Sequence, residues 1–75
     1  DGLTMYPNPL KGNTLYLTST ANAEMSVQIF DVLGKEVLNS KVMNNTVNVS
    51  GLNAGVYIVK IIEEGKTATR KLVIQ

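Results

Sequence analysis

Residues 55–65 read Gly-Val-Tyr-Ile-Val-Lys-Ile-Ile-Glu-Glu-Gly, and this stretch decides the fold class. The valine, isoleucine and tyrosine residues that fill it favour strands. The run 56–62 is apolar on nearly both of its alternating faces, which predicts a central strand over Val56–Glu63. Glu64-Gly65 has the composition of a two-residue hairpin turn. A last strand is therefore predicted over Lys66–Gln75.

The sequence on the N-terminal side repeats this pattern of short β-type runs ended by turn residues. Asp31 and Gly34 place a tight turn between two runs, with Gly34 where a left-handed backbone is expected. Asn44-Asn45 predicts another turn. Pro7-Asn8-Pro9 removes two hydrogen-bond donors, so the chain has to leave the sheet there. The predicted strands are Leu3–Tyr6, Thr14–Thr18, Met25–Asp31, Lys35–Val42, Thr46–Val49, Val56–Glu63 and Lys66–Gln75.

Apolar and polar residues alternate in several of these runs, which marks the strand face that is turned to the core. The predicted same-face sets are Leu15 and Leu17, then Met25, Val27 and Ile29, and then Val47 and Val49. Seven short strands spaced about ten residues apart are typical of an all-β Greek-key β-sandwich. A compact barrel is the structural alternative. The 75 residues allow a single domain over 1–75.

The composition excludes several classes of function. The chain contains no cysteine and no histidine, so it has no disulfide and no thiolate metal site, and it lacks the commonest general base. Seven lysine and arginine residues are spread along the chain, with only three tyrosines and one phenylalanine. A nucleic-acid surface needs a denser basic patch. We therefore expect no enzyme activity, no small-molecule substrate, no cofactor and no nucleic-acid partner.

Two groups of oxygen-bearing side chains are candidate sites. Glu63-Glu64 is a carboxylate pair, but adjacent strand residues point to opposite faces and cannot flank one substrate bond. Asn22, Glu24 and Asp31 offer too few oxygen ligands in one loop for calcium. We expect no metal and no catalytic residue.

Leu52-Asn53-Ala54-Gly55-Val56-Tyr57 is the most informative local pattern. It fits a tyrosine corner, in which a tyrosine at the start of a strand hydrogen-bonds back to the preceding corner. Because no histidine is present to act as its partner base, Tyr57 is predicted to be structural rather than catalytic.

The C-terminal run Arg70-Lys71-Leu72-Val73-Ile74-Gln75 allows two interpretations. It is either simply the last strand of a sheet, or an exposed edge that a receptor pairs with by strand addition. In the second interpretation, main-chain hydrogen bonds at the edge and tip of the last hairpin give affinity, and Lys71 or Arg70 gives orientation.

Four segments stand out by their order and spacing: Tyr6-Pro7-Asn8-Pro9 with the Leu15-x-Leu17 strand, residues 27–37, residues 47–61, and Lys71-Leu72-Val73-Ile74. Together they resemble the type A C-terminal sorting domain of type IX secretion, the Por secretion system of Bacteroidetes. The resemblance covers the whole chain. The Pro-Asn-Pro segment and the later Gly-x-Tyr strand are specific in combination.

This resemblance implies a seven-stranded immunoglobulin-like β-sandwich that acts as a sorting signal on a larger secreted protein. It implies a covalently attached N-terminal cargo, transport through the periplasm, and recognition by the outer-membrane translocon. A sortase-like peptidase then removes the domain, and the cargo is secreted or retained at the cell surface. The family signal falls on Gly55, Tyr57, Lys71, Leu72, Val73 and Ile74, which are the predicted translocon-recognition residues.

One residue departs from the family pattern, and one other function stays open. Family members often end on a basic residue, whereas this sequence ends on Gln75. The alternative is an accessory β-sandwich, either a spacer or a carbohydrate-binding module of a secreted enzyme. Tyr16 and Phe30 are the candidate sugar-stacking residues for that alternative.

Overall fold

The computed structural model describes residues 2–75, which form seven β-strands and no helix. Accordingly, these residues contain no helix that could cross a membrane. The strands are β1 (Leu3–Tyr6), β2 (Thr14–Ser19), β3 (Met25–Phe30), β4 (Glu36–Lys41), β5 (Thr46–Asn48), β6 (Gly55–Glu63) and β7 (Lys66–Ile74). All seven predicted strands are present, and their ends differ from the predicted ends by no more than one residue.

The strands form two antiparallel sheets. One has three strands in the order β1-β2-β5, and the other has four in the order β4-β3-β6-β7. β6 pairs with both β3 and β7, so the prediction that it is a central strand is confirmed. β3 and β4 form one hairpin, and β6 and β7 form another. The connections β2–β3, β4–β5 and β5–β6 each pass from one sheet to the other.

The inner faces of the two sheets share one hydrophobic core. β2 contributes Leu15 and Leu17, and β3 contributes Met25, Val27 and Ile29. These are the predicted same-face sets, and Val47 and Val49 are buried with them. No polar or charged side chain is buried among residues 2–75. The alternation read from the sequence therefore places the core correctly.

The predicted turns form where the backbone has to adopt positive φ angles. Asn44 and Asn45 have φ angles of 53° and 61°, and Glu64 and Gly65 have 52° and 76°. Positive φ at both central residues defines the turn that matches the twist of a two-residue hairpin. Asparagine and glycine tolerate this conformation better than other residues.

The β3–β4 turn is organised by one aspartate. The Asp31 carboxylate accepts hydrogen bonds from the backbone N–H groups of Leu33 and Lys35, each at 2.9 Å. Gly34 has a φ angle of 88°, as predicted, and its N–H donates to the Asp31 carbonyl at 3.0 Å. The exposed tip carries Val32 and Leu33, whose side chains are 74% and 90% exposed.

The two faces of β6 lie in different environments. Tyr57, Val59 and Ile61 point into the core, but Val56 and Ile58 on the other face are 40% and 39% exposed. The run 56–62 is apolar on nearly both faces, and the central strand predicted from it left the exposure of each face open. Within residues 2–75 no element lies over the outer face of the four-stranded sheet, so these apolar side chains remain open to solvent.

Candidate recognition surface around the last strand

The six predicted recognition residues lie together on β6 and β7. Gly55 is paired with Ile74, Tyr57 with Leu72, and Ile58 with Lys71 in one continuous antiparallel register. The structure thus brings residues that are up to 19 positions apart in the sequence to the same end of the four-stranded sheet. This is the end at which β7 finishes.

Three of the six side chains are not available at the surface. Leu72 is 0% exposed, Ile74 7% and Tyr57 8%. Their contacts are with the core shared by the two sheets. In the folded domain, these residues act by maintaining the fold.

Tyr57 closes the predicted tyrosine corner. Its phenolic O–H donates to the backbone carbonyl of Asn53 at 2.7 Å, and Leu52 packs against the core beneath the corner. The bond fixes the segment before β6 to the strand that follows it. It satisfies a hydroxyl group that would otherwise be nearly buried without a partner.

The edge of β7 is closed over its last residues by a side chain from the start of the sequence. The Asn8 side-chain N–H donates to the Lys71 carbonyl at 2.7 Å, and the Asn8 side-chain oxygen accepts from the Val73 N–H at 3.0 Å. A carboxamide carries one donor side and one acceptor side. Asn8 therefore pairs with β7 as the backbone of a neighbouring strand would.

Leu10 continues this pairing with its own backbone. Its N–H donates to the Val73 carbonyl at 2.8 Å, and its carbonyl accepts from the Gln75 N–H at 2.8 Å. The two segments run parallel at the bridge between Leu10 and Ile74. The Leu10 side chain is 1% exposed and belongs to the core.

These four hydrogen bonds bear on how a partner can reach the strand. The predicted Pro-Asn-Pro break does end β1, but the chain then crosses to the other sheet and pairs with β7. Four main-chain groups that point away from β6 are already bonded: the Lys71 carbonyl, the N–H and carbonyl of Val73, and the Gln75 N–H. Strand addition along this part of the edge would first have to displace Asn8 and Leu10.

The outer face at this end is where Lys71 and Val73 present their side chains. Val73 lies opposite Val56, and Lys71 lies opposite Ile58. Ile58 in turn lies opposite Phe30 on β3. Phe30, Val56, Ile58 and Val73 form a continuous set of apolar side chains, which we call the apolar outer patch.

Two lysines border the apolar outer patch. The Lys60 ammonium group lies 5.8 Å from the centre of the Phe30 ring, a distance at which the ring face attracts a cation. Lys71 is exposed beside Ile58. Neither ammonium group forms an ion pair with another described residue.

The opposite end of the molecule is polar. The Glu63 carboxylate accepts from the Ser19 hydroxyl at 2.7 Å and from the Ala23 N–H at 3.3 Å, which ties the β2–β3 loop to β6. A surface cavity of about 220 Å³ lies beside it, lined by Leu3, Ile61, Glu63, Lys66, Thr67 and Ala68. Glu63 is thus occupied in holding a loop.

Within residues 2–75, no three acidic residues approach one another closely enough to hold a metal ion. Asp31 lies in the β3–β4 turn, at the end of the sheet opposite Glu63. The candidate sugar-stacking residues also lie apart. Tyr16 is on the three-stranded sheet and stacks on Tyr6 at 5.4 Å, whereas Phe30 is on the other sheet.

Sequence reasoning missed Asn8 and Leu10 as neighbours of the last strand, and it missed the apolar outer patch. A signal for the first was present, because an asparagine held between two prolines has few uses for its amide within its own segment. For the second, the signal was the apolar character of both faces of β6. The same apolar pattern is typical of a central strand, and by itself it does not indicate an exposed surface.

A family model described as a secretion system C-terminal sorting domain matches residues 4–75. The match includes every strand except the first residue of β1. Comparison with curated proteins found no significant match.

Proposed function

This chain belongs to the family of secretion system C-terminal sorting domains, which are the sorting signals of type IX secretion, and we propose from this how its partners recognise it. The signal directs export of its cargo to the cell surface or the extracellular space. The observation that carries the assignment is the family match over residues 4–75. Sorting domains of this family are not catalytic.

We propose that the fold is an immunoglobulin-like Greek-key β-sandwich and that residues 1–75 are a single domain following a larger cargo. The strand orders β1-β2-β5 and β4-β3-β6-β7 support this topology, because an immunoglobulin sandwich likewise places its first, second and fifth strands in one sheet. The shared core supports a two-layer arrangement.

The proposed partners are the outer-membrane translocon of type IX secretion and a sortase-like peptidase. The cargo crosses the periplasm with this domain attached, and the translocon binds the region that contains Gly55, Tyr57 and residues 71–74. The peptidase then cleaves between cargo and domain. Burial of Leu72, Ile74 and Tyr57 favours recognition of the folded domain through the other residues of this region.

The test is a secretion assay in a bacterium that has a type IX system. A reporter enzyme with a signal peptide is fused to residues 1–75, and its activity is measured in the medium and in the periplasm. We expect extracellular activity from the fusion, and periplasmic retention both of the reporter alone and of the fusion in a strain without the translocon. Periplasmic retention of the complete fusion in the competent strain would refute the sorting function.

Two further readouts test the partners. A fusion that lacks residues 71–75 is expected to stay in the periplasm, and its full secretion would exclude those residues from recognition. If the peptidase acts, the extracellular reporter is smaller than the fusion by about the 8.1 kDa of this chain. An extracellular reporter of full fusion mass would show that this domain is not removed.

A further inference from the structure

We propose that the receptor which reads this sorting domain docks on the apolar outer patch of the four-stranded sheet, not on the edge of its last strand. This inference rests on the sorting function proposed above and identifies the surface through which it operates. The partner is a folded protein whose docking surface has an apolar centre with carboxylates beside it. Three observations lead to this surface.

The first observation is that main-chain groups of the C-terminal residues are already hydrogen-bonded and are not open to strand addition. Asn8 and Leu10 bond to four outward-pointing groups, namely the Lys71 carbonyl, the N–H and carbonyl of Val73, and the Gln75 N–H, at 2.7–3.0 Å. A receptor strand would have to break four hydrogen bonds to form a similar number, which leaves little net gain in free energy. The structure therefore favours recognition through side chains.

The second observation restricts which side chains can take part. Leu72 and Ile74 point into the core, so only the outward residues Lys71 and Val73 are presented. Beside them are Val56 and Ile58, 40% and 39% exposed on β6, and Phe30 on β3. Apolar side chains that adjoin on three strands form a contact surface, unlike single exposed residues scattered over a protein.

The third observation concerns charge. Lys60 and Lys71 border the patch, and neither ammonium group is neutralised by a carboxylate of residues 2–75. Interfaces commonly combine an apolar centre with a polar rim, and complementary rim charges speed association and fix orientation. Carboxylates on the receptor facing these two lysines would provide both effects.

The decisive variant is Ile58→Thr in the reporter fusion, with Ile62→Thr as its matched control. Both residues lie on the outer face of β6, and threonine keeps the β-branched shape that suits a strand. Ile62 is the more buried of the two, so its replacement destabilises the domain at least as much. We expect Ile58→Thr to lower extracellular reporter about tenfold, as for a residue at the centre of an interface, and Ile62→Thr to leave it unchanged.

A second pair of variants tests the charge. Lys71→Glu and Lys41→Glu each reverse one exposed lysine on an edge strand of the same sheet, at opposite ends. We expect only Lys71→Glu to reduce secretion. Thermal unfolding of the purified fusions identifies any variant that fails by losing its fold. Normal secretion of both Ile58→Thr and Lys71→Glu, in cells that secrete the unchanged fusion, would overturn the docking surface while leaving the sorting function intact.

Photo-crosslinking identifies the occupant. A benzophenone amino acid is placed at position 58 of the fusion, and at position 41 as the control, and products are isolated from irradiated cells. The proposal is supported by a crosslink, at position 58 only, to an outer-membrane protein whose deletion abolishes secretion of the unchanged fusion. A crosslink from position 58 to lipid, to lipopolysaccharide or to a second copy of this chain would overturn it.

Discussion

At the scale of single residues, two side chains bond irregular segments of this domain to its strands. Asn8 bonds to backbone groups 63 and 65 residues further along the chain. Tyr57 bonds to the carbonyl of Asn53 across the corner before β6. Each contributes by satisfying polar groups that lie outside the regular pairing of the strands.

Replacing Asn8 by alanine should loosen the end of β7. We expect the free energy of unfolding to fall by about 1 kcal/mol, because two hydrogen bonds to partly hydrated groups are lost. Hydrogen exchange at the Val73 amide should accelerate more than at other β7 amides. Asn39→Ala is the control, since the Asn39 side chain makes only a long hydrogen bond of 3.5 Å, to the Glu36 carboxylate. Equal effects of the two substitutions would argue against the pairing role of Asn8.

Tyr57→Phe isolates the hydrogen bond of the tyrosine corner while keeping the ring in the core. Urea denaturation should show a loss of about 1–2 kcal/mol. Tyr16→Phe serves as the control, because the Tyr16 ring is 40% exposed and stacks on Tyr6, so its loss should stay within about 0.5 kcal/mol. If the two variants are equally stable, the corner bond adds nothing to the fold.

At the scale of elements, the success of prediction from sequence depended on how local the determining interactions were. The alternation in Met25–Phe30 and the Glu64-Gly65 turn are encoded by neighbouring residues, and both were predicted. The docking of Leu10 against β7 was not, because an apolar residue after a proline break carries no information about which distant strand it will meet. Exposure of Val56 and Ile58 was missed because it depends on which elements lie over the sheet.

The β3–β4 turn gives an element-level prediction. Asp31→Ala removes the acceptor for two backbone N–H groups, and Gly34→Ala places a side chain at a φ angle of 88°. Each should destabilise the domain by about 1–2 kcal/mol. Because both act on one turn, the double variant should lose less than the sum of the two single losses. Strict additivity in denaturation experiments would show that the two residues act independently.

At the scale of the whole molecule, the exposed apolar residues are distributed unevenly. Most of the strongly exposed ones lie at the end of the sandwich where β7 finishes: Tyr6, Tyr16, Val32, Leu33, Val56 and Ile58. The other end carries Glu63, Glu64 and Lys66 around the β6–β7 turn. β1 begins beside Ser19 at this polar end, so the proposed N-terminal cargo would join the domain away from the apolar end.

Some of the predicted recognition residues lie in the core, so substituting them lowers the stability of the fold as well as changing the recognition region. A chain of 75 residues has a free energy of unfolding of about 4–11 kcal/mol, and Leu72→Ala should remove about 2–5 kcal/mol of it. Lys71→Ala should change stability by less than about 0.5 kcal/mol. Circular dichroism during thermal unfolding separates them. Equal melting temperatures for the two variants would contradict the burial of Leu72.

The bonds from Asn8 and Leu10 to the final strand also make the fold depend on residues 71–75. Until residues 71–75 have been synthesised, the carboxamide of Asn8 and the backbone of Leu10 have no partners, and the core lacks Leu72 and Ile74. A chain that stops before residue 71 therefore cannot complete this domain, however well its cargo has folded. Formation of the sorting domain thus depends on contacts between its two most distant segments.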